Sequence, residues 1–164
     1  MLILADTNIL YHYIGKKAAV EQLLLNRFEA DELSLAVSVV TIGEMLALRR
    51  KSNWKPFLVR NFNSLLNKTV KLDINDAKVL SRYAEIDAYS QKRADYRGQM
   101  ISNARPMKNH QNDIWIAACG SVAGLTLVTT DRDYDHLDGV FLNVERVQAS
   151  SLKALGILPK SSRR

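Results

Sequence analysis

The stretch Gly124-Leu-Thr-Leu-Val-Thr-Thr-Asp131-Arg-Asp133-Tyr-Asp135 constrains the fold more than any other, because an apolar, β-branched run stops there in carboxylates. A buried strand that delivers acids at its C-terminal end belongs at the working edge of an open α/β sheet. The grammar recurs at the other end of the chain, where Met1-Leu-Ile-Leu-Ala is followed by Asp6-Thr7-Asn8. Asn112-Asp113 opens the apolar segment Ile-Trp-Ile-Ala-Ala-Cys119, and Thr41-Ile-Gly-Glu44 opens another. Four acids thus end or begin four apolar elements.

Taken in order, the periods alternate between strand and helix. Residues 2–5 read as a strand buried on both faces, broken by Asp6-Thr7-Asn8, and residues 18–28 as a helix. Residues 33–39 suit a second strand, and a helix starts at Thr41 and runs into a basic block. A helix over 57–66, a short strand over 70–72 and a long helix over 74–94 follow. Residues 95–111, with Gly98 and Pro106, read as a loop that covers the site. A buried helix over 114–122 is capped by Gly124. Strands over 125–129 and 140–144 and a short helix over 151–155 complete the chain. This predicts a three-layer α/β/α sandwich with a mainly parallel sheet of four or five strands. At 164 residues it makes one domain, spanning 1–150, with a short helix and basic tail over 151–164.

Each acid has an ordinary structural explanation. Asp6 and Asp131 suit Asx turns, Asp113 or Asn112 a helix N-cap, and Glu44 a capping box with Thr41. Together they point elsewhere, because strand ends and the helix starts that follow them share one edge of a doubly wound sheet. Converging carboxylates repel in a partly dehydrated cleft unless a divalent cation offsets them. Hard oxygen donors select Mg²⁺ or Mn²⁺, ions that keep some of their waters and suit phosphodiester hydrolysis.

Competing chemistries lack their residues. His12, His110 and His136 have neither metal-ligand nor triad spacing, and no dinucleotide or P-loop motif is present. Asp131-x-Asp133-x-Asp135 begins like a calcium loop, but its sixth and twelfth positions are His136 and Leu142. The single cysteine, Cys119, reads as a core residue in a reducing compartment. The opening apolar run is too short for a signal peptide or an anchor, so a cytoplasmic location is expected, without a membrane.

Of the net charge of +6, seven cations fall between Met45 and Leu72 with no acid: Arg49, Arg50, Lys51, Lys55, Arg60, Lys68 and Lys71. Residues 146–164 are likewise free of acids. Such blocks are either solvated helix faces or positive fields for phosphate backbones or an acidic protein.

Leu-Ala-Asp6-Thr7-Asn8, Ser-Val-Val-Thr-Ile-Gly-Glu44-Met-Leu, Asn112-Asp113-Ile-Trp-Ile-Ala-Ala and Thr-Thr130-Asp131-Arg-Asp133-Tyr resemble the PIN-domain ribonucleases, most closely VapC-type toxins of toxin-antitoxin pairs. The resemblance implies an endoribonuclease that cuts RNA with Mg²⁺ or Mn²⁺, with Asp6, Glu44, Asp113 and Asp131 as metal-site acids and Asp133 as an additional member. It also implies that Thr7, Asn8 and Thr130 orient carboxylates or metal waters, and that the chain forms a homodimer blocked by a small antitoxin protein. The basic residues Arg49, Arg50, Lys51 and Lys55 then hold RNA or that antitoxin. The chain exceeds the compact toxins in the 95–111 loop and in the tail after Ser150. Two alternatives stand beside this reading. One is a non-catalytic RNA-binding or scaffold protein on the same fold. The other is a small-molecule phosphohydrolase, weakened because Asn8 stands where a paired Asp-x-Asp needs its second acid.

Overall fold

The computed structural model describes residues 1–98 and 111–154, without the side chain of Lys153. The core of the expected 95–111 loop and the basic tail from 155 onward lie outside the described residues. Among the described residues the elements run β1 (Leu2–Ala5), α1 (Thr7–Gly15), α2 (Lys17–Phe28), β2 (Ser34–Ser38), α3 (Val39–Lys51), α4 (Pro56–Leu66) and β3 (Val70–Leu72). They continue with α5 (Ala77–Ser90), α6 (Gln111–Ala123), β4 (Leu127–Thr129), a 3₁₀ turn (Asp135–Leu137), β5 (Val144–Arg146) and α7 (Ala149–Ala154).

The five strands form one all-parallel sheet in the order β3-β2-β1-β4-β5. The two-residue alternation of the strands sorts the core into two layers. Ile3 and Ala5 of β1, Leu35 and Val37 of β2, and Val128 of β4 face the layer of α1 to α4. Leu4, Ala36 and Leu127 face the layer of α5 and α6. Right-handed crossovers account for this: the chain moves outward from β1 to β3 with helices on one face, then returns to β4 with helices on the other. The result is an α/β/α sandwich whose winding reverses between β1 and β4.

Several boundaries differ from those expected. The Asp6-Thr7-Asn8 break is the start of α1, because Asp6 caps it by accepting from the Thr7 N–H at 2.7 Å. An Asx turn and an N-cap use the same acceptor, and the buried Ile9, Leu10, Tyr13 and Ile14 decide for helix. Helix α3 begins at Val39, capped by Ser38, which accepts from the Val40 N–H at 3.2 Å. Thr41 is therefore inside the first turn and buried, and the Thr41–Glu44 capping box does not form. Helix α5 is shorter than the 74–94 segment, running from its cap Asp76 to Ser90, with Lys92 at a φ of 59° beyond it.

The last strand lies at 144–146 rather than 140–144. Phe141 and Leu142 are buried in a turn beneath α6, and Asp138 pins the strand start by accepting from the Val144 N–H at 2.7 Å. Helix α7 starts two residues before the expected 151, and its Leu152 is 1% exposed in the first core layer.

Two glycines set how α6 meets the sheet. A Cβ on Gly120 would lie 2.9 Å from Leu4 Cδ2, so its absence lets the helix approach β1 closely. Gly124, at φ 65°, closes the helix as anticipated, with the Leu125 N–H donating to the Gly120 carbonyl at 3.0 Å. An alanine at Gly124 must adopt a left-handed backbone, so Gly124→Ala is expected to cost about 1 kcal/mol in chemical denaturation. Cys119 is buried with Sγ 3.6 Å from the Ser38 hydroxyl, and burial pushes its thiol pKa up, as befits a core residue.

Candidate active site

The edge at which the strands end carries a cleft of about 610 Å³ lined by Asp6, Glu44, Asp113 and Asp131 together with Thr7, Asn8, Asn112 and Lys51. Each acid arrives on a different element. Asp6 follows β1, Glu44 sits on the second turn of α3, Asp113 in the first turn of α6, and Asp131 two residues after β4. Strands β1 and β4 are hydrogen-bonded neighbours at the point where the winding reverses, so Asp6 and Asp131 flank the crevice such sheets leave open.

The acids are held by neutral donors from neighbouring elements. Asp6 is 4% exposed and accepts from the Thr7 N–H and, at 2.8 Å, from the Thr129 hydroxyl. Thr129 in turn accepts from the Asp131 N–H at 3.0 Å. The Thr7 hydroxyl donates to Glu44 Oε2, and Asn112 Nδ2 donates to Glu44 Oε1 at 2.8 Å. The Tyr134 hydroxyl, fully buried, donates to Asp113 Oδ1 at 3.0 Å. Asp131 makes an Asx turn by accepting from the Asp133 N–H at 3.0 Å. The ordinary roles weighed for Asp6 and Asp131 are thus real, and both side chains line the cleft as well.

Electrostatics tie three of the acids together. The Asp6 pKa is raised from 3.8 to about 6, chiefly by burial and with a smaller push from the charges of Asp113 and Glu44, against the hydrogen bonds from Thr129 and Thr7 that lower it. Burial, and then the charges of Asp6, Asp113 and Glu44, hold the Tyr134 phenol neutral far above its usual range. Among the described residues, however, no three His, Cys, Asp or Glu side chains form a ready-made metal-binding group. The carboxylates share a cleft and a field without closing into a cage.

A stability consequence follows from the Asp6 pKa. A carboxyl whose folded pKa is raised contributes stability that is fully present below pH 3.8 and is lost as pH rises through about 6. In EDTA, the parent should lose on the order of 2–3 kcal/mol across that window. Asp6→Asn should flatten that part of the profile in denaturant titrations at pH 4, 5, 6 and 7.

The remaining candidates spread out. Asn8 is exposed at the cleft, and Lys51 reaches its rim from the last turn of α3. Arg49 and Arg50 are exposed on the same turn, and Lys55 is exposed just before α4, all outside the cleft lining. Asp133 and Thr130 also lie outside it. The hydroxyl that reaches Asp6 is that of Thr129, the last residue of β4, rather than that of Thr130. Sequence reasoning passed over Thr129 and Tyr134 and considered Asn112 only as a cap. Their signal was adjacency to the acids, which does not say which neighbour points inward.

The PIN domain model matches residues 3–140. A search of the curated proteins finds no match. Solved structures with similar folds include VapBC2 from Rickettsia felis bound to a promoter DNA fragment, at 22% identity and a TM-score of 0.63, with 89% of this chain and 98% of that one covered. VapBC-1 from nontypeable Haemophilus influenzae is similar at 18% identity and a TM-score of 0.61, with the same coverage. VapBC-5 from Mycobacterium tuberculosis, a member of the VapBC family of toxin-antitoxin systems, gives 19% and 0.53, again over 89% and 98%. With a family model spanning most of its length and all five strands in a parallel sheet, the chain belongs to the PIN domain family, whose members are in general nucleases.

Proposed function

We propose that this protein is a metal-dependent endoribonuclease and the toxin of a type II toxin-antitoxin pair. The observation that carries the reading is the common cleft: four acids from four separate elements line it, and two of them raise the pKa of a third. As caps and turns alone, the acids would have no reason to share one recess and repel one another.

The donor set suits Mg²⁺ or Mn²⁺, since every acid presents hard oxygen. Such ions bind through one or two carboxylates and retain several waters, so a closed cage of three acids is not required. Asp6, Glu44, Asp113 and Asp131 would hold the cation, directly or through its retained waters, with Asp133 an additional member. When bound, it would supply the positive charge that offsets these carboxylates and stabilises the negative charge growing on a phosphodiester under attack by water.

The chain's own groups do the rest. Thr7 and Asn112 fix both oxygens of Glu44, while Thr129 fixes Asp6, so these carboxylates need little reorganisation. Thr130, next to Asp131, and Asn8, at the cleft, would orient carboxylates or metal waters. Lys51 at the rim, with Arg49, Arg50 and Lys55 beyond it, offers a track of positive charge for RNA phosphates or for an acidic segment of a partner. VapBC-5 is a member of the VapBC family of toxin-antitoxin systems, which supports a small antitoxin as that partner. The same family reading extends to a homodimer and to one nuclease domain over 1–150 with a basic tail. No helix among the described residues is long and apolar enough to cross a membrane, and a cytoplasmic site of action suits an RNA substrate.

Incubation of purified protein with end-labelled RNAs in Mg²⁺, Mn²⁺ or EDTA tests the proposal. Products that depend on the divalent ion are the expected result. RNA that is bound in a salt-sensitive manner but never cut would instead favour a non-catalytic RNA-binding protein on this fold.

A further inference from the structure

We propose that Tyr134 is a positioning residue for Asp113, using its hydroxyl to fix one carboxylate oxygen so that the side chain is set for a cation in the cleft. The inference rests on the reading of the acids as a metal site and names a member that neither the acid pattern nor the family match singles out.

Three observations carry it. Tyr134 is fully buried and among the largest such side chains in the protein, yet its one polar atom is directed to an acid of the cleft, 3.0 Å from Asp113 Oδ1. A phenylalanine would fill the same apolar space, so packing alone does not require the hydroxyl, and a buried hydroxyl is costly unless bonded. The loop that carries the ring is itself pinned. The Asp133 N–H donates to Asp131, the Asp135 N–H to the Arg132 carbonyl at 3.0 Å, and the Leu137 N–H to the Tyr134 carbonyl at 2.9 Å. The bond therefore links the loop after β4, which bears Asp131, to the first turn of α6, which bears Asp113. An acid in a first helical turn can fold back onto the helix N–H groups, and a fixed external donor opposes that rotation. Outer partners of this kind typically govern metal affinity by 10–100-fold (~).

The test is Tyr134→Phe in the full chain, with Mn²⁺ affinity measured by calorimetry beside RNA cleavage kinetics. The expected result is a Mn²⁺ Kd raised roughly 10-fold or more, with the Mn²⁺ concentration for half-maximal cleavage rising in step. The kcat at saturating Mn²⁺ should stay within about threefold of the parent, and melting in EDTA within a few degrees. In an Asp113→Ala background the same substitution should no longer change Mn²⁺ affinity, because the carboxylate it acts through has gone. An unchanged Kd overturns the proposal. So does a Tyr134→Phe protein that melts far below the parent in EDTA and loses Mn²⁺ affinity only through that unfolding. A parent that binds no Mn²⁺ overturns both this inference and the metal-site reading. A parent that binds Mn²⁺ but cuts no RNA removes the nuclease reading alone, and the calorimetric comparison still decides the role of Tyr134.

Discussion

Asp6→Asn and Asp113→Asn are each expected to reduce divalent-dependent RNA cleavage by at least about 10³-fold, the equivalent of several kcal/mol of transition-state stabilisation by a bound cation. The two variants lose that stabilisation for the same reason and respond differently in stability. Asp6 is buried, and its ionisation in the metal-free fold is opposed by burial and by two neighbouring charges. Asparagine keeps the shape and removes the charge, so Asp6→Asn should melt at or above the parent at pH 7.5 in EDTA. It retains an acceptor for the Thr7 N–H, which preserves the cap of α1. Asp113 is only half-buried, and its replacement should leave melting within a few degrees. Loss of cleavage without loss of fold separates a chemical role from a structural one. Cleavage by either variant at the parent's rate would remove these acids from the mechanism.

Neutralising Arg49, Arg50 and Lys51 together with glutamine should weaken binding of single-stranded RNA about 100-fold near 0.1 M salt. Three lost phosphate contacts flatten the slope of log K against log salt by about 2. The three side chains stand on the last turn of α3, exposed, with Lys51 at the cleft rim. Because cations also favour a helix C-terminus, the triple variant should lose up to about 1 kcal/mol of stability, which a melting curve measures separately. The kcat at saturating RNA should change little, since no carboxylate is touched. A salt slope equal to the parent's would assign the cluster to an acidic protein partner instead of RNA.

The strand at 2–5 and the one expected over 125–129, whose last three residues form β4, were legible because apolar runs bounded by acids admit few other interpretations, and α6 because its apolar residues cover most of its circumference and Gly124 follows it. Helix α1 was not. Its start, Asp6-Thr7-Asn8, offers the acceptor that both a turn and a helix cap require, and only the burial of Ile9, Leu10, Tyr13 and Ile14 separates the two. The apolar 140–144 run misled for a related reason. Phe141 and Leu142 are buried against α6 without pairing as a strand, and hydrophobicity records burial rather than hydrogen bonding.

The order of strands and acids along the chain was enough to establish the α/β class and to nominate Asp6, Glu44, Asp113 and Asp131, since strand ends and helix starts of a parallel sheet share an edge. What only the tertiary structure decided is which neutral groups hold those acids: Thr129 rather than Thr130 on Asp6, Asn112 on Glu44, and Tyr134 on Asp113. Hydrogen bonds of this kind join residues as far apart as 123 positions and depend on side-chain direction to within an ångström. Local sequence carries no record of that direction, which arises only when both layers of helices have packed onto the sheet.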